Sequence, residues 1–177
     1  MSQKGMNRRQ FLQTSGTAVA GGAAAIGAGA VLIGPDGAWA LGTKAFDEHT
    51  ALTLLGVCRE MYPHDRLGDE YYARLVEGLD AKAAGDPGLA KLLGDGVAGL
   101  DGANGGVTWV ALGDGDKLAA LKQIESTTFF QTVRGHVVTT LYNDPEVWRQ
   151  FGYEGSSWEY GGYLERGFND IAWLKDA

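Results

Sequence analysis

Apolar residues recur every three or four positions along most of the chain beyond residue 46, which is the spacing of amphipathic helices. The first of these stretches begins at Asp47 or Thr50, either of which can cap a helix, and it ends before Pro63. Four further helices are predicted over residues 69–84, 89–97, 116 onward and 127–142, and a short one starts at Pro145 and runs to residue 148. No strand pattern is strong enough to build a sheet. We therefore predict a mainly α, single-domain bundle of about five short helices.

Turns and loops are predicted between these helices. Asp69 is the expected cap of the second helix, and residues 85–87 (Gly-Asp-Pro) form a turn after it. The run DGANGG at residues 101–106 is typical of a flexible loop. Residues 108–112 are predicted to be a short extended piece before the next helix.

A long segment near the C-terminus, residues 142–168, has a different composition: YNDPEVWRQFGYEGSSWEYGGYLERGF. It contains eight aromatic residues and five glycines, too many rings for a loop and too many glycines for a regular helix. Such a mixture suits either a local core or a surface that packs against a partner, and composition favours neither. As a partner surface, its candidate contact residues are Tyr142, Trp148, Tyr153, Trp158, Tyr160 and Tyr163.

The first forty residues have the pattern of an export signal. Two adjacent arginines are followed by Phe-Leu, by an uncharged Gly/Ala-rich stretch over residues 14–33, and by a small-residue Ala-x-Ala site. These features resemble the twin-arginine (Tat) class of signals and lie at Arg8, Arg9, Phe11, Leu12, Ala38 and Ala40. We predict a signal peptide at residues 1–40 and a mature domain at residues 41–177. The alternative is a membrane anchor, which the scarcity of Leu and Phe in the stretch disfavours.

Composition narrows the possible functions. The formal net charge is −7 and the body carries no basic cluster, which disfavours nucleic acid as a partner. Hydrophobic residues make up 45% and charged residues 21%, as in globular proteins. Cys58 is the single cysteine, so an internal disulfide and a cysteine-rich metal site are both excluded. Its place on the apolar face of the first helix predicts a buried, inert thiol.

Candidate chemistry is sparse. A metal site could draw on Asp47, Glu48, His49, His64 and Asp65, although solvated loop residues are the default interpretation. His136 lies between apolar helix positions, where a partly buried, hydrogen-bonded ring is favoured over a general base. Other candidates have no supporting context, namely Ser126, Ser156, Ser157, Glu154, Glu159 and Glu165. The chain has no dinucleotide fingerprint and no haem motif, so we predict no catalytic, cofactor or metal site in it.

Several short motifs carry a resemblance to a known family. An aromatic-proline pair, Tyr62-Pro63, ends the first predicted helix, and the rest of the match is concentrated in residues 142–167. There it consists of Tyr142-x-Asp144-Pro145-x-x-Trp148, Gly152-Tyr153-x-Gly155, Gly161-Gly162-Tyr163 and Arg166-Gly167. With the twin-arginine leader, the chain resembles the gluconate 2-dehydrogenase subunit 3 family.

The resemblance implies a non-catalytic small subunit of a periplasmic FAD-dependent sugar dehydrogenase. In that family, FAD and catalysis belong to a large subunit of the glucose-methanol-choline (GMC) flavoprotein type, which lacks a signal and leaves through the Tat translocase with the small subunit. A multihaem cytochrome c often accepts the electrons, and membrane contact occurs through that cytochrome or an uncleaved leader. Gluconate and glucosides are both consistent substrates. Two alternatives remain: a stand-alone periplasmic enzyme, and a small binding protein exported by Tat.

Overall fold

The computed structural model describes residues 30–34, 37 and 40–164. Within them the chain is mainly helical, as predicted, and the helices surround one apolar core. The α-helices are α1 (Glu48–Met61), α2 (Asp69–Gly85), α3 (Pro87–Gly102), α4 (Asp114–Gln123), α5 (Thr128–Leu141) and α6 (Pro145–Phe151). Short 3-10 helices cover Trp109–Ala111 and Ser157–Tyr160, and two strands, β1 (Val31–Ile33) and β2 (Ala40–Gly42), form a hairpin. None of the described helices is both long enough and apolar enough to cross a bilayer.

Helix α1 begins and ends where the sequence predicts. The Asp47 carboxylate accepts a hydrogen bond from the backbone N–H of Thr50 at 2.7 Å, which caps the first turn. At the other end the N–H of Tyr62 bonds to the carbonyl of Cys58, and Pro63 prevents another turn. The predicted apolar face is buried against the core.

Helix α2 lies at the centre of the bundle, in contact with α1, α3, α5 and β2. Its apolar face is buried as predicted. Its cap was predicted wrongly: Gly68 holds the cap position, and Asp69 is the first helical residue. The Asp69 carboxylate instead pairs with Arg59 of α1, with 2.7 Å between Oδ1 and Nη1.

Helix α3 is longer than the predicted residues 89–97. Its start is fixed by Asp86, whose carboxylate accepts from the N–H groups of Gly88 and Leu89, and it continues to Gly102. Gly96 within it lies directly beneath the Phe129 ring of α5, so a side chain there would displace the ring. Close helix packing therefore compensates for the low helix propensity of this glycine.

The prediction of an extended piece at residues 108–112 is wrong, because residues 109–111 form a 3-10 turn. The turn inserts Trp109 fully into the core, where its indole N–H is 3.4 Å from the carbonyl of Lys117. The backbone N–H of Trp109 donates to the Asp101 carboxylate at 2.7 Å. Burial of this one large ring outweighs the local preference for extended structure.

No strand pattern in the sequence is strong enough to predict a sheet, but the described residues contain a small antiparallel hairpin. Leu32 of β1 faces Leu41 of β2, and both are buried, whereas Val31 and Ile33 are exposed. Strands of three residues are too short for an alternating pattern to stand out in the sequence. The packing of one leucine from each strand holds the hairpin on the bundle.

Candidate interaction surface

The part of residues 142–168 nearest the bundle is fixed to it by ionic contacts. Asp144 caps α6 by accepting from the N–H of Glu146 at 2.8 Å, and Pro145 takes the first helical position, as predicted. Arg74 of α2 reaches both acidic residues, with 3.3 Å to an Asp144 oxygen and 3.1 Å to a Glu146 oxygen. The start of the segment is therefore anchored to the central helix.

A group of four rings, which we name the anchor cluster, joins the segment to the loop after α1. It consists of Tyr62, His64, Tyr142 and Phe151. The His64 ring centre lies 5.7 Å from that of Tyr142 and 5.0 Å from that of Phe151, both edge-on. His64 Nε2 is also within hydrogen-bond distance of the Tyr142 hydroxyl, at 2.7 Å. The rings of the anchor cluster are therefore engaged in contacts within this chain, although sequence alone could assign them to a partner surface.

Trp148 is used within the segment itself. Its indole N–H donates to the carbonyl of Tyr142 at 2.6 Å, and the ring of Tyr153 meets it edge-on at 5.3 Å. Gly155 lies against the same indole, because an added Cβ there would sit 3.4 Å from the ring. Trp148 is half-buried as a result, so its first role is to fold the chain back after α6.

The next part of the segment, residues 157–164, projects its apolar side chains into solvent, and we name it the aromatic tip. Trp158 is 88% exposed and Leu164 is 87% exposed, with Tyr160 and Tyr163 more than half exposed. The 3-10 turn ends at Gly161 and Gly162, which both adopt positive φ angles near 80°. Such angles favour glycine, so the sequence itself produces the turn that presents these rings.

The core of the domain is complete without the aromatic tip. Large rings that fill it come from other parts of the chain, namely Phe46, Tyr72, Trp109 and Phe129. The interpretation of residues 142–168 as a local core is therefore wrong for the tip. Of the predicted contact residues, Tyr142 packs in the anchor cluster, Trp148 and Tyr153 pack against each other, and Trp158, Tyr160 and Tyr163 form the tip. Phe168 lies outside the described residues.

The predicted leader residues fall mainly where the structure gives no description. Arg8, Arg9, Phe11, Leu12 and Ala38 lie outside the described residues. Ala40 is described and is the first residue of β2, paired with Ile33 of β1. The proposed cleavage site after Ala40 therefore lies within the hairpin.

Three of the five residues considered as metal ligands have other partners. Asp47 caps α1, His64 belongs to the anchor cluster, and His49 donates from Nε2 to the Asp101 carboxylate at 2.6 Å. No three His, Cys, Asp or Glu side chains come together as a metal-binding group in the described part of the chain. That this chain holds no metal stays a prediction.

The serine and glutamate candidates that the structure describes are not gathered around a reactive centre. Ser126 lies in the turn before α5 and is exposed, on a different part of the chain from Ser156 and Ser157. Glu154 and Glu159 are exposed beside the aromatic tip, and Glu165 lies outside the described residues. The two described glutamates add negative charge around the exposed rings, which suits a soluble surface.

Cys58 and His136 have the environments that the sequence predicts. Cys58 is fully buried, and burial raises the pKa of its thiol to about 12, so it is unreactive. His136 is 7% exposed between α2 and α5. Its Nε2–H donates to the carbonyl of Leu75 at 2.9 Å, and its Nδ1 accepts from the Lys82 ammonium at 3.1 Å. The ring is therefore a satisfied core histidine.

This environment predicts that acid destabilises the fold. Burial lowers the pKa of His136, Lys82 lowers it further, and the hydrogen bond to Leu75 opposes them. At pH values above 6.5, the ordinary pKa of histidine, the ring is neutral in both the folded and unfolded chains, so it adds no pH dependence to stability. Below 6.5 the unfolded chain binds a proton that the folded chain resists. We expect the free energy of unfolding, measured with denaturant, to fall between pH 7 and pH 5.

The matched control is His136→Gln, since a glutamine amide can donate to Leu75 and accept from Lys82 without titrating. The stability of this variant should depend less on pH than that of the wild type over the same interval. Equal slopes would contradict the assignment to His136, because the two proteins differ at that residue alone.

Asp80 is the residue of structural importance that the sequence analysis missed. It lies on the apolar face of α2, is buried, and accepts three hydrogen bonds of 2.8–3.0 Å from the backbone N–H groups of Lys44, Ala45 and Phe46. The signal was present: a carboxylate directly follows Leu79, on a face that is otherwise apolar. A buried charged residue of this kind requires partners, and here they are the backbone after β2.

The aromatic tip and the sequence motifs of residues 142–167 are the features that bear on function. The structure offers an anchored segment whose end exposes four large apolar side chains. It does not offer a converging set of reactive groups among residues 40–164. Comparison with protein-family models, curated proteins and solved structures finds no match for this chain.

Proposed function

We propose that this chain is the non-catalytic small subunit of a periplasmic FAD-dependent sugar dehydrogenase. It stabilises a GMC-type flavoprotein large subunit and carries it through the Tat translocase with its own signal peptide. FAD belongs to the large subunit, and a multihaem cytochrome c is the natural electron acceptor. The resemblance in residues 142–167 supplies the identity of the partner.

The observation that carries this proposal is the aromatic tip. Soluble domains seldom expose several large apolar side chains together unless a partner covers them. Binding energy at protein interfaces concentrates in a few Trp and Tyr residues, and Trp158, Tyr160 and Tyr163 are of these types. Because the tip is displayed on an anchored base, little order has to be gained on binding.

The reactive candidates give less support to a stand-alone enzyme. His136 is enclosed by Leu75 and Lys82, and His64 is engaged with Tyr142. A general base must instead be free to approach a substrate proton. The neighbouring reading frame offers a simple test between the classes: the proposal expects a flavoprotein without its own signal there.

Export itself should depend on the two arginines. Changing Arg8 and Arg9 together to lysine keeps the positive charge but removes the guanidinium pair of the Tat signal. We expect the exported chain, measured by cell fractionation, to fall to background and the flavoprotein to stay in the cytoplasm with it. Lys4→Arg makes a conservative change in the same region and should leave export unchanged. Undiminished periplasmic protein in the double variant would rule out the Tat assignment.

A further inference from the structure

Strand β1 covers the first residue of the proposed mature chain. Val31, Leu32 and Ile33 pair with Gly42, Leu41 and Ala40 respectively in an antiparallel register. Leu41 is fully buried and Leu32 is 7% exposed. The peptide bond between Ala40 and Leu41 therefore lies inside a paired strand, with a core side chain on one side of it.

Further hydrogen bonds join the two strands at the end of the hairpin that lies away from its turn. The Thr43 hydroxyl accepts from the N–H of Ala30 at 2.9 Å and donates to the carbonyl of Phe46 at 2.7 Å. The backbone N–H of Thr43 also donates to the carbonyl of Ala30 at 2.8 Å. Asp80 then fixes residues 44–46 to α2. Residues on both sides of the bond are thus tied to the body of the domain.

A protease can bind and cut the Ala40–Leu41 bond only when the backbone around it is accessible. Extended peptides are commonly bound by adding a strand to the edge of the host protein, which requires free backbone N–H and C=O groups. In the hairpin, β1 pairs along one edge of β2, and the Leu41 side chain is in the core. Cleavage must therefore wait for local opening, and its rate follows the population of the opened hairpin.

We propose that β1 is a removable shield over the Ala40–Leu41 bond. In the folded chain it protects the bond, and the bond becomes cleavable when β1 leaves β2. Entry of the leader into a membrane removes the shield, because residues 31–33 end the uncharged stretch of residues 14–33. The same three residues cannot pair with β2 and lie among lipid chains. This inference rests on the proposed export function, since it assigns a role to the leader.

The shield can be tested on the purified full-length chain without the export machinery. A protease that cuts on the amino side of leucine, such as thermolysin, is added, and mass spectrometry follows the fragment that begins at Leu41. Leu32→Ser removes the buried side chain of β1, whereas Val31→Ser alters its exposed neighbour by the same kind of change. We expect slow cleavage in the wild type and Val31→Ser, and cleavage faster by about tenfold or more in Leu32→Ser. Phosphatidylglycerol vesicles should accelerate cleavage of the wild type.

Each outcome bears on one part of the inference. Equal rates in the wild type and Leu32→Ser would overturn the shield. An unchanged wild-type rate with vesicles would overturn its removal by membranes. If the bond resists thermolysin in vitro and no processed chain is found in cells, the shield is supported. That result would also refute cleavage of the leader after Ala40. The failure of the inference and that of the proposed export function are thereby separable.

Discussion

Alanine at both Trp158 and Tyr163 should abolish the proposed complex with a flavoprotein large subunit while this chain remains folded. The two side chains are 88% and 57% exposed, so their removal takes little from the core. At an interface, a buried Trp or Tyr anchor costs about 2 kcal/mol or more on truncation. Two such losses weaken binding by about a thousandfold. Co-expression with the proposed flavoprotein partner, followed by affinity capture of this chain, measures the result.

The controls for this experiment come from the same domain. Leu118→Ala and Val138→Ala also remove exposed apolar side chains, at sites outside residues 142–164, and should leave capture unchanged. The melting temperature of the double variant should equal that of the wild type. An unfolded double variant would show that the tip belongs to the core after all. A folded variant that still captures the flavoprotein would place the contact elsewhere.

Trp148 provides a useful contrast, because it too is an aromatic residue of the segment. Its indole N–H is bonded to the carbonyl of Tyr142 and its ring packs against Tyr153. Trp148→Ala should therefore lower the melting temperature of the isolated chain, unlike the changes at the tip. This difference distinguishes Trp148, which stabilises the fold of the segment, from Trp158 and Tyr163, which are exposed at the aromatic tip.

The helical part of the fold follows from the sequence because its signals are local. Asp47, Thr127 and Asp144 cap helices that start where predicted, and Pro63 ends α1. Gly96 shows the limit of such reasoning. Glycine lowers helix propensity, but contact with Phe129 from a distant helix requires a glycine there, and α3 runs through it.

The division of residues 142–164 into a packed base and an exposed tip could not be predicted, for a related reason. Composition gives the number of rings, whereas their exposure depends on which part of the bundle lies opposite each one. Tyr142 meets His64, a residue 78 positions away in the chain, and that pairing determines how the base of the segment docks. The hairpin escaped prediction similarly, since Leu32 and Leu41 gain their burial only by facing each other on the bundle.

Among the described residues, Asp80 is where a single change should destabilise the fold most. Its two oxygens accept from three backbone N–H groups, at Lys44, Ala45 and Phe46, and hydrogen bonds to a charged group contribute about 1.5–3 kcal/mol each. Asp80→Ala leaves these donors without an acceptor in a largely buried place. We expect the free energy of unfolding, measured with denaturant, to fall by about 3 kcal/mol or more.

Two further variants test whether the loss comes from those three bonds. Asp80→Asn keeps one acceptor oxygen but turns an amide N–H₂ toward the donors, so its stability should lie between those of the wild type and Asp80→Ala. Asp95→Asn removes a carboxylate from the surface of α3, where it pairs with Lys91, and should change stability by less than about 1 kcal/mol. If Asp80→Ala were as stable as Asp95→Asn, the carboxylate would not be what fastens residues 44–46 to α2. Because those residues directly follow β2, we expect Asp80→Ala also to accelerate cleavage between Ala40 and Leu41, whereas Asp95→Asn should not.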